Sequence, residues 1–226
     1  MFSGIFLHLA LRMNYYDVFN GDADGICALI QLRLAAPRAS ILITGVKRDV
    51  ALAGRVPAEV PAAITILDIS LDKNRTAVDK LLSAGSSIFY VDHHFPGDDL
   101  PDATDFKALI DTQPTTCTSL LVDQHLEGRF HNWAIAAAFG DNLNEVAEEL
   151  AINAGLSPEE TEALKTLGIC INYNGYGSNV EDLHFHPANL YREFVEFSDP
   201  IELIASNPMT WQKLRDGYKE DMAQGL

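Results

Sequence analysis

The sequence is short of basic side chains and of cysteine. Its 16 Lys and Arg stand against 32 Asp and Glu, a formal net charge of −16. A protein that coats long nucleic acid or an anionic membrane surface needs a surplus of Lys and Arg, so the balance argues against both classes. Cys27, Cys117 and Cys170 are far apart and odd in number. Their spacing predicts neither a disulfide framework nor a CxxC zinc site, and a reducing, cytoplasmic setting fits best.

Long hydrophobic runs are also missing. No apolar run approaches the roughly 20 residues that a membrane-spanning helix requires, so we expect no membrane partner. Residues 1–12 are apolar until Arg12 but lack a basic start and a small-residue cleavage site, so we interpret them as an N-terminal extension rather than a signal peptide. The apolar fraction of 47% is ordinary for a globular protein, which predicts a packed core despite the net charge.

Strand-like and helix-like segments alternate over the first two-thirds of the chain. The pattern predicts five short strands, at residues 15–19, 41–46, 64–67, 87–91 and 106–110. Helices are predicted at residues 25–36 and from about residue 74 to 83, and the chain is mainly helical from Thr118 onward, apart from a loop at 172–177. This alternation predicts an α/β fold with a mostly parallel sheet flanked by helices and a helical C-terminal portion.

Acidic residues and histidines follow three of the predicted strands. They are Asp22 and Asp24 after the first strand, Asp68 after the third, and Asp92, His93 and His94 after the fourth. The carboxyl ends of parallel strands face one side of a sheet, where ligands bind, so we expect these side chains to share one crevice. Carboxylates that converge without Lys or Arg repel one another, and a divalent cation is the usual relief. Oxygen ligands with an imidazole suit Mn²⁺, Mg²⁺ or Fe²⁺.

Each of these residues also has a structural interpretation when taken alone. An Asp-x-Asp-Gly segment is common in turns. Asp68 can cap the following helix, and Asp141 can cap a helix that starts near Asn144. A pair of adjacent histidines is more often a surface or core feature than a ligand pair. It is the joint placement at three strand ends that favours a metal site.

The same residues resemble, in order and spacing, the four motifs of the DHH phosphoesterases. The matching positions are Asp22-Ala23-Asp24-Gly25, Asp68, Asp92-His93-His94 and Asp141. The resemblance covers about residues 14–145 and implies a five-stranded parallel sheet of order 2-1-3-4-5. We therefore predict a DHH domain over residues 13–177, with residues 178–226 as a C-terminal helical extension or the start of a truncated linker.

The resemblance also implies a manganese-dependent hydrolase with two ions. One ion would be held by Asp24, Asp68, His93 and Asp141, and the other by Asp22 with a bridging Asp68. Asp92 would orient its neighbours, and His94 would face the scissile phosphate. Such cations lower the pKa of water towards neutrality and offset the charge that builds on phosphoryl oxygens, which agrees with phosphoester hydrolysis.

Two positions and one missing loop depart from the pattern of that superfamily. Pyrophosphatase-type and oligoribonuclease-type members have a histidine where this chain has Val18, which puts one metal position and pyrophosphatase activity in doubt. RecJ-type members have an aspartate where this chain has Asn20, which we interpret as a weak ligand or a hydrogen-bonding neighbour of the ligands. The Gly-Gly-Gly-His type loop of a C-terminal substrate domain is missing after Gly177.

Cationic and small polar residues near the same edge are candidates for binding substrate. Lys47 and Arg48 follow the second strand and can grip a phosphate, the alternative being a solvated loop. The segment 115–119 opens a helix whose amides can meet an anion, although simple capping explains it as well.

We therefore expect a Mn²⁺-dependent phosphoesterase that acts on a short oligonucleotide, a cyclic dinucleotide or a nucleoside bisphosphate. The charge of −16 disfavours long nucleic acid as a substrate. A homodimer is compatible with the sequence. One alternative is a metal- or nucleotide-binding regulatory module with weak or no catalysis. Another is a RecJ-like single-strand exonuclease whose basic surface comes from a partner.

Overall fold

A computed structural model of the chain describes residues 13–225, and the predicted extension at residues 1–12 lies outside the described residues. The described residues form one five-stranded sheet. Its strands are β1 Asn14–Phe19, β2 Ile41–Ile43, β3 Ala62–Leu67, β4 Ser87–Asp92 and β5 Phe106–Ile110. The strand order is 2-1-3-4-5 and every neighbouring pair is parallel. The predicted fold class is confirmed, including the order that the resemblance implied.

Helices cover both faces of this sheet and fill the second half of the chain. They are α1 Ala23–Ala35, α2 Leu71–Ser83, α3 Thr118–His125, α4 His131–Gly140, α5 Asn144–Asn153, α6 Pro158–Asn174, α7 Pro187–Phe194, α8 Pro200–Ser206 and α9 Met209–Gln224. Short 3₁₀ turns occupy Leu52–Arg55 and Val180–Asp182. Among the described residues, no helix is both long and apolar enough to cross a membrane.

Two hydrophobic clusters, one on each face of the sheet, pack the sheet against its helices. Side chains alternate along each strand, so Val18 faces the α2 side while Phe19 faces the α1 side. Helix α1 is buried from Ala23 to Arg33 because α4 and α6 pack over it. Leu190 of α7 and Trp211 of α9 join the α1-side cluster, so residues beyond 177 contribute to the same core. The boundary at residue 177 stays a prediction.

Three predicted boundaries are wrong by three residues each. Strand β2 stops at Ile43 instead of residue 46, because the chain leaves the ladder to bring the amide of Lys47 to the carbonyl of Gly175, 2.8 Å away. Helix α2 starts earlier, at Leu71, whose side chain is buried. Helix α6 begins at Pro158, after the N-cap residue Ser157, and continues to Asn174, so half of the loop predicted at 172–177 is helical.

Candidate metal centre

The loop between β1 and α1 is shaped by two close backbone approaches. A Cβ atom on Gly21 would lie 1.9 Å from the carbonyl oxygen of Gly45, and one on Gly25 would lie 2.3 Å from the carbonyl oxygen of Asn20. Only glycine fits at either position. Within this loop Asp22 caps α1, since its Oδ1 accepts the backbone N–H groups of Asp24 and Gly25 at 3.1 and 3.2 Å. The second oxygen of Asp22 is thereby aimed at the carboxyl edge of the sheet.

Asp24 is fixed by the first turn of α3. Its two carboxylate oxygens accept the backbone N–H groups of Thr118 at 2.7 Å and Ser119 at 2.6 Å. The hydroxyl of Ser119 donates to the carbonyl of Asp24 at 2.9 Å. The amides predicted to meet an external anion therefore meet an internal one. The side chain of Asp24 is held at the N-terminus of α3, where a helix favours negative charge.

Asp68 follows β3 in a left-handed backbone conformation, with φ of 57°. Such a conformation is uncommon outside glycine and costs on the order of 1–3 kcal/mol. Its carboxylate is buried and accepts a hydrogen bond from the hydroxyl of Thr118 at 3.3 Å. The residue at the N-cap position of α2 is Ser70, so the interpretation of Asp68 as a helix cap is wrong. The strained backbone instead directs the carboxylate towards the end of β4.

His93 joins the carboxylates of three separate elements. Its Nε2 lies 3.5 Å from Asp68 Oδ1, 3.8 Å from Asp24 Oδ2 and 3.8 Å from Asp141 Oδ2. Asp141 ends α4, and the N-cap position of α5 is Leu143, so the interpretation of Asp141 as the cap of α5 is wrong. One ligand atom each from Asp24, His93 and Asp141 lie within 4.8 Å of one another. Three oxygens around one imidazole nitrogen fit a hard or borderline divalent cation.

Asp92 and His94 form a pair beside this group. His94 Nδ1 lies 2.7 Å from Asp92 Oδ1, and Asp92 is fully buried while the side chain of His94 is 45% exposed. The hydrogen bond to Asp92 raises the pKa of His94 above its ordinary value, against the opposing effect of burial. His94 Nδ1 also lies 3.9 Å from Asp68 Oδ1. The imidazole of His94 is thus held at the exposed rim of the acidic group, where the hydrogen bond to Asp92 favours its protonated form.

The acidic group lacks enough positive charge of its own. Burial and the neighbouring Asp22 and Asp24 raise the pKa of Asp68 well above its ordinary value. Burial and the same two neighbours raise the pKa of Asp141 to about 6. Both shifts mean that ionised carboxylates repel each other here, and a bound divalent cation would remove that repulsion. The donor set and the charge deficit therefore agree in fitting a metal ion.

Lys47 lies inside this group rather than at its entrance. Its Nζ lies 2.7 Å from Asp22 Oδ2, 3.7 Å from Asp141 Oδ1 and 2.8 Å from Asn172 Oδ1. Burial opposes the charge on Lys47, but Asp22 outweighs it and raises the pKa of the lysine. Within the part of the chain that the structure describes, Asn20 makes no hydrogen bond to a carboxylate, and its Nδ2 donates to the carbonyl of Lys47 at 3.1 Å. The buried Oδ1 of Asn20 has no hydrogen-bond partner among the described residues.

Arg48 is separate from the acidic group. It is exposed and lines a cavity of about 330 Å³ together with Arg55 and residues 178–181. No hydrogen bond or ion pair joins Arg48 to the carboxylates within residues 13–225. Its role towards substrate stays a prediction.

Sequence reasoning misses the residues that hold the candidate ligands in place. Thr118 and Ser119 fix Asp24, and Asn172 with the carbonyl of Gly175 fixes Lys47. The hydroxyl residues at the start of α3 are the one available signal, and on the sequence alone they suggest a site for an external anion. Asn172 gives no signal because it lies in α6, 125 residues from Lys47.

Comparison with known proteins rests on structure. No protein-family model matches the sequence, and no curated protein matches it. The chain is similar to a solved DHH domain described as a member of the s1p family of ribosomal proteins, with 15% identity and a TM-score of 0.54 over 93% of this chain. That likeness shows that the chain shares the fold of that domain. The chain spans 58% of the length of that structure.

Two further solved structures align less closely. One is RecJ from Thermus thermophilus in complex with Mn²⁺, with 15% identity and a TM-score of 0.45 over 79% of this chain and 34% of that one. The other is an uncharacterized protein from Helicobacter pylori, with 13% identity and a TM-score of 0.42 over 82% of this chain and 63% of that one.

Proposed function

We propose that the protein is a divalent-cation-dependent phosphoesterase that hydrolyses a phosphodiester or phosphomonoester bond in a small phosphate compound. The observation that carries the proposal is the convergence on His93 Nε2 of carboxylate oxygens from Asp24, Asp68 and Asp141 at 3.5–3.8 Å. These residues come from the ends of α1, β3, β4 and α4, so the sheet edge brings together one compact donor set. The DHH-type fold supports the same class of reaction.

Manganese is the cation we favour. Several carboxylate oxygens with one imidazole suit Mn²⁺, and the thiols of Cys27 and Cys117, which sulfur-loving metals would use, are buried. Once bound, the cation would supply a water of lowered pKa and offset charge on the phosphoryl oxygens.

The pair of His94 and Asp92 supplies the proton in this proposal. Water oxygen bonds to phosphorus while the bond from phosphorus to the leaving oxygen breaks, and the proton of the attacking water passes to solvent. His94, whose protonated form is favoured by the hydrogen bond to Asp92, donates its proton to the leaving oxygen and regains one from solvent. The buried carboxylate of Asp92 stabilises the imidazolium and fixes its orientation. His94 is 45% exposed, so a substrate can reach it.

A small substrate fits the charge of the protein better than a polymer. The formal net charge of −16 repels a long polyanion, while a cation at the sheet edge makes one point attractive to phosphate. We propose short oligonucleotides, cyclic dinucleotides and nucleoside bisphosphates as the first compounds to test.

The test is hydrolysis of a chromogenic phosphodiester and of those three compound classes, each with and without added Mn²⁺. We expect turnover that requires the metal. The variants Asp68→Asn and His93→Ala should lower kcat/KM by at least about a thousandfold, since each removes a ligand. Asp79→Asn is the matched control, because Asp79 pairs with Arg75 on the exposed side of α2. If no compound turns over, and the two site variants keep the metal content of the wild type, the proposal fails.

A second candidate is a metal- or nucleotide-binding module without catalysis. It is favoured by Val18, a buried apolar residue at the place of the histidine in pyrophosphatase-type DHH proteins. This candidate predicts bound Mn²⁺ by elemental analysis, nucleotide binding by isothermal titration, and no turnover of any compound tested.

A further inference from the structure

The position expected for a second cation is the one that involves Asp22. Both oxygens of Asp22 are already engaged: Oδ1 caps α1, and Oδ2 lies 2.7 Å from the ammonium of Lys47. The residue four positions earlier is Val18, which is fully buried in the hydrophobic cluster on the α2 side of the sheet. A valine supplies no ligand atom. At this position Asp22 is already paired with an ammonium and Val18 supplies no ligand, so neither residue offers a divalent cation an open place.

Hydrogen bonds hold Lys47 in this position both at its backbone and at its ammonium. Its backbone N–H donates to the carbonyl of Gly175 at 2.8 Å, and its carbonyl accepts from the amide of Asn20 at 3.1 Å. At the far end, the ammonium also donates to Asn172 Oδ1 at 2.8 Å. These partners come from the β1 loop and from the end of α6. Lys47 is therefore a fixed part of the site and not a mobile surface lysine.

The ammonium and a divalent cation would compete for Asp22. Two positive charges about 4 Å apart repel each other by several kcal/mol at the effective dielectric constant of a protein surface. The lysine is present in every molecule and its ammonium lies 2.7 Å from Asp22 Oδ2 and 3.7 Å from Asp141 Oδ1, whereas a second ion would have to displace it. The fixed cation should win at ordinary metal concentrations.

We propose that Lys47 takes the place of the second cation, so that the protein binds a single divalent ion through Asp24, Asp68, His93 and Asp141. This inference rests on the proposed metal centre and changes its count. The ammonium of Lys47 neutralises Asp22 and can donate a hydrogen bond to a substrate phosphate, but it does not lower the pKa of a bound water as a metal ion does. Lys47 is therefore a positioning and charge-supplying residue beside a one-ion site.

The experiment counts ions. The wild-type protein is saturated with Mn²⁺, and the bound metal per chain is measured by isothermal titration and elemental analysis, with electron paramagnetic resonance to detect spin coupling between neighbouring ions. We expect one Mn²⁺ per chain and a spectrum without coupling. The variant Lys47→Gln frees Asp22 and should bind a second, weaker ion, so the count rises from one to two. Lys73→Gln is the matched control, since Lys73 is an exposed lysine on α2.

Two further results separate the possible outcomes. The variant Lys47→Arg keeps the charge and should stay at one ion, and thermal unfolding shows whether each variant is folded. Two coupled ions in the wild type, or a folded Lys47→Gln variant that still binds one ion, would overturn the inference while leaving the proposed function intact. A wild type that binds no Mn²⁺ would overturn the metal centre itself, and the inference with it.

Discussion

Two groups of buried polar residues, one around Asp17 and one around Asp68, lie on the same sheet and differ in how their carboxylates are neutralised. Asp17, in the middle of β1, is fully buried and surrounded by donors. Its partners are Arg33 Nε at 2.7 Å, Arg33 Nη2 at 2.5 Å, Arg38 Nη2 at 3.2 Å and Ser40 Oγ at 2.5 Å. Asp68, at the end of β3, is equally buried but faces Asp22, Asp24 and Asp92. The first group is neutralised by the protein itself, and the second is not.

The direction of the pKa shift distinguishes the structural ion pair of Asp17 from the candidate metal centre around Asp68. Burial opposes ionisation of Asp17, but the hydrogen bonds and charge of Arg33 outweigh it and lower the pKa of Asp17. The pKa of Asp68 moves the other way, raised by burial and by its acidic neighbours. Two arginines neutralise the single carboxylate of Asp17, whereas Lys47 is the one lysine or arginine that pairs with the acidic group among the described residues. That arrangement indicates a place reserved for a cation from outside.

The largest expected effect comes from breaking the neutralised group. Asp17→Asn leaves the guanidinium of Arg33, which is 7% exposed, without its counter-charge. Removing one partner of a buried pair costs about 3–5 kcal/mol, so urea unfolding should show a loss of that size in the free energy of unfolding. Asp79→Asn, which breaks an exposed pair with Arg75, should cost less than about 1 kcal/mol. Equal losses for the two variants would contradict the contrast between buried and exposed pairs.

Adding Mn²⁺ should stabilise the protein through the second group alone. A ligand at a hundred times its dissociation constant adds about 2.7 kcal/mol to the free energy of unfolding, which for a chain of this size raises Tm by about 5–10 °C. Asp17→Asn should start from a lower Tm but gain as much from Mn²⁺ as the wild type. Asp24→Asn should gain little, because it removes a ligand. A Mn²⁺ effect that survives Asp24→Asn would place the ion elsewhere.

The sheet and the acidic group at its edge could be predicted from the sequence, whereas the arginine partners of Asp17 and Lys47's own partners could not. The five strands and the shared edge of Asp22, Asp68 and His93 follow from alternation and from the geometry of parallel sheets. The partners of Lys47 do not, because they depend on where the chain after β2 meets the end of α6. The full length of α6 does not follow either, since Asn172 and Asn174 suggest a loop while the burial of Asn174 keeps the last turn helical.

In the absence of metal, acid should strengthen the second group and weaken the first. Asp141 has its pKa raised to about 6 from 3.8, so the folded state takes up a proton before the unfolded state as the pH falls. In EDTA, the free energy of unfolding should therefore rise by about 1–2 kcal/mol between pH 7.5 and pH 5. The stability supplied by Asp17 is present above pH 3.8 and is lost as the pH falls through its lowered pKa.

Asp141→Asn is the variant that tests this assignment. It removes the titrating carboxyl, so the rise of about 1–2 kcal/mol that Asp141 supplies between pH 7.5 and pH 5 should disappear. The loss of stability below pH 3.8 should stay unchanged. A rise as large as that of the wild type would show that Asp141 is not the group that takes up the proton.

The smallest expected effect belongs to a pair that is intermediate between the two groups. His131 Nδ1 lies 2.7 Å from Asp123 Oδ2, and the side chain of His131 is 28% exposed. The hydrogen bond to Asp123 raises the pKa of His131 from 6.5, so the pair stabilises the protein fully below pH 6.5 and loses its effect as the pH rises through the raised pKa. His131→Gln should thus cost less than about 1 kcal/mol at pH 5.5 and still less at pH 8.5. His125→Gln, which alters an exposed histidine whose ring lies tilted beside that of Phe89, is the matched control and should show no such difference between the two pH values.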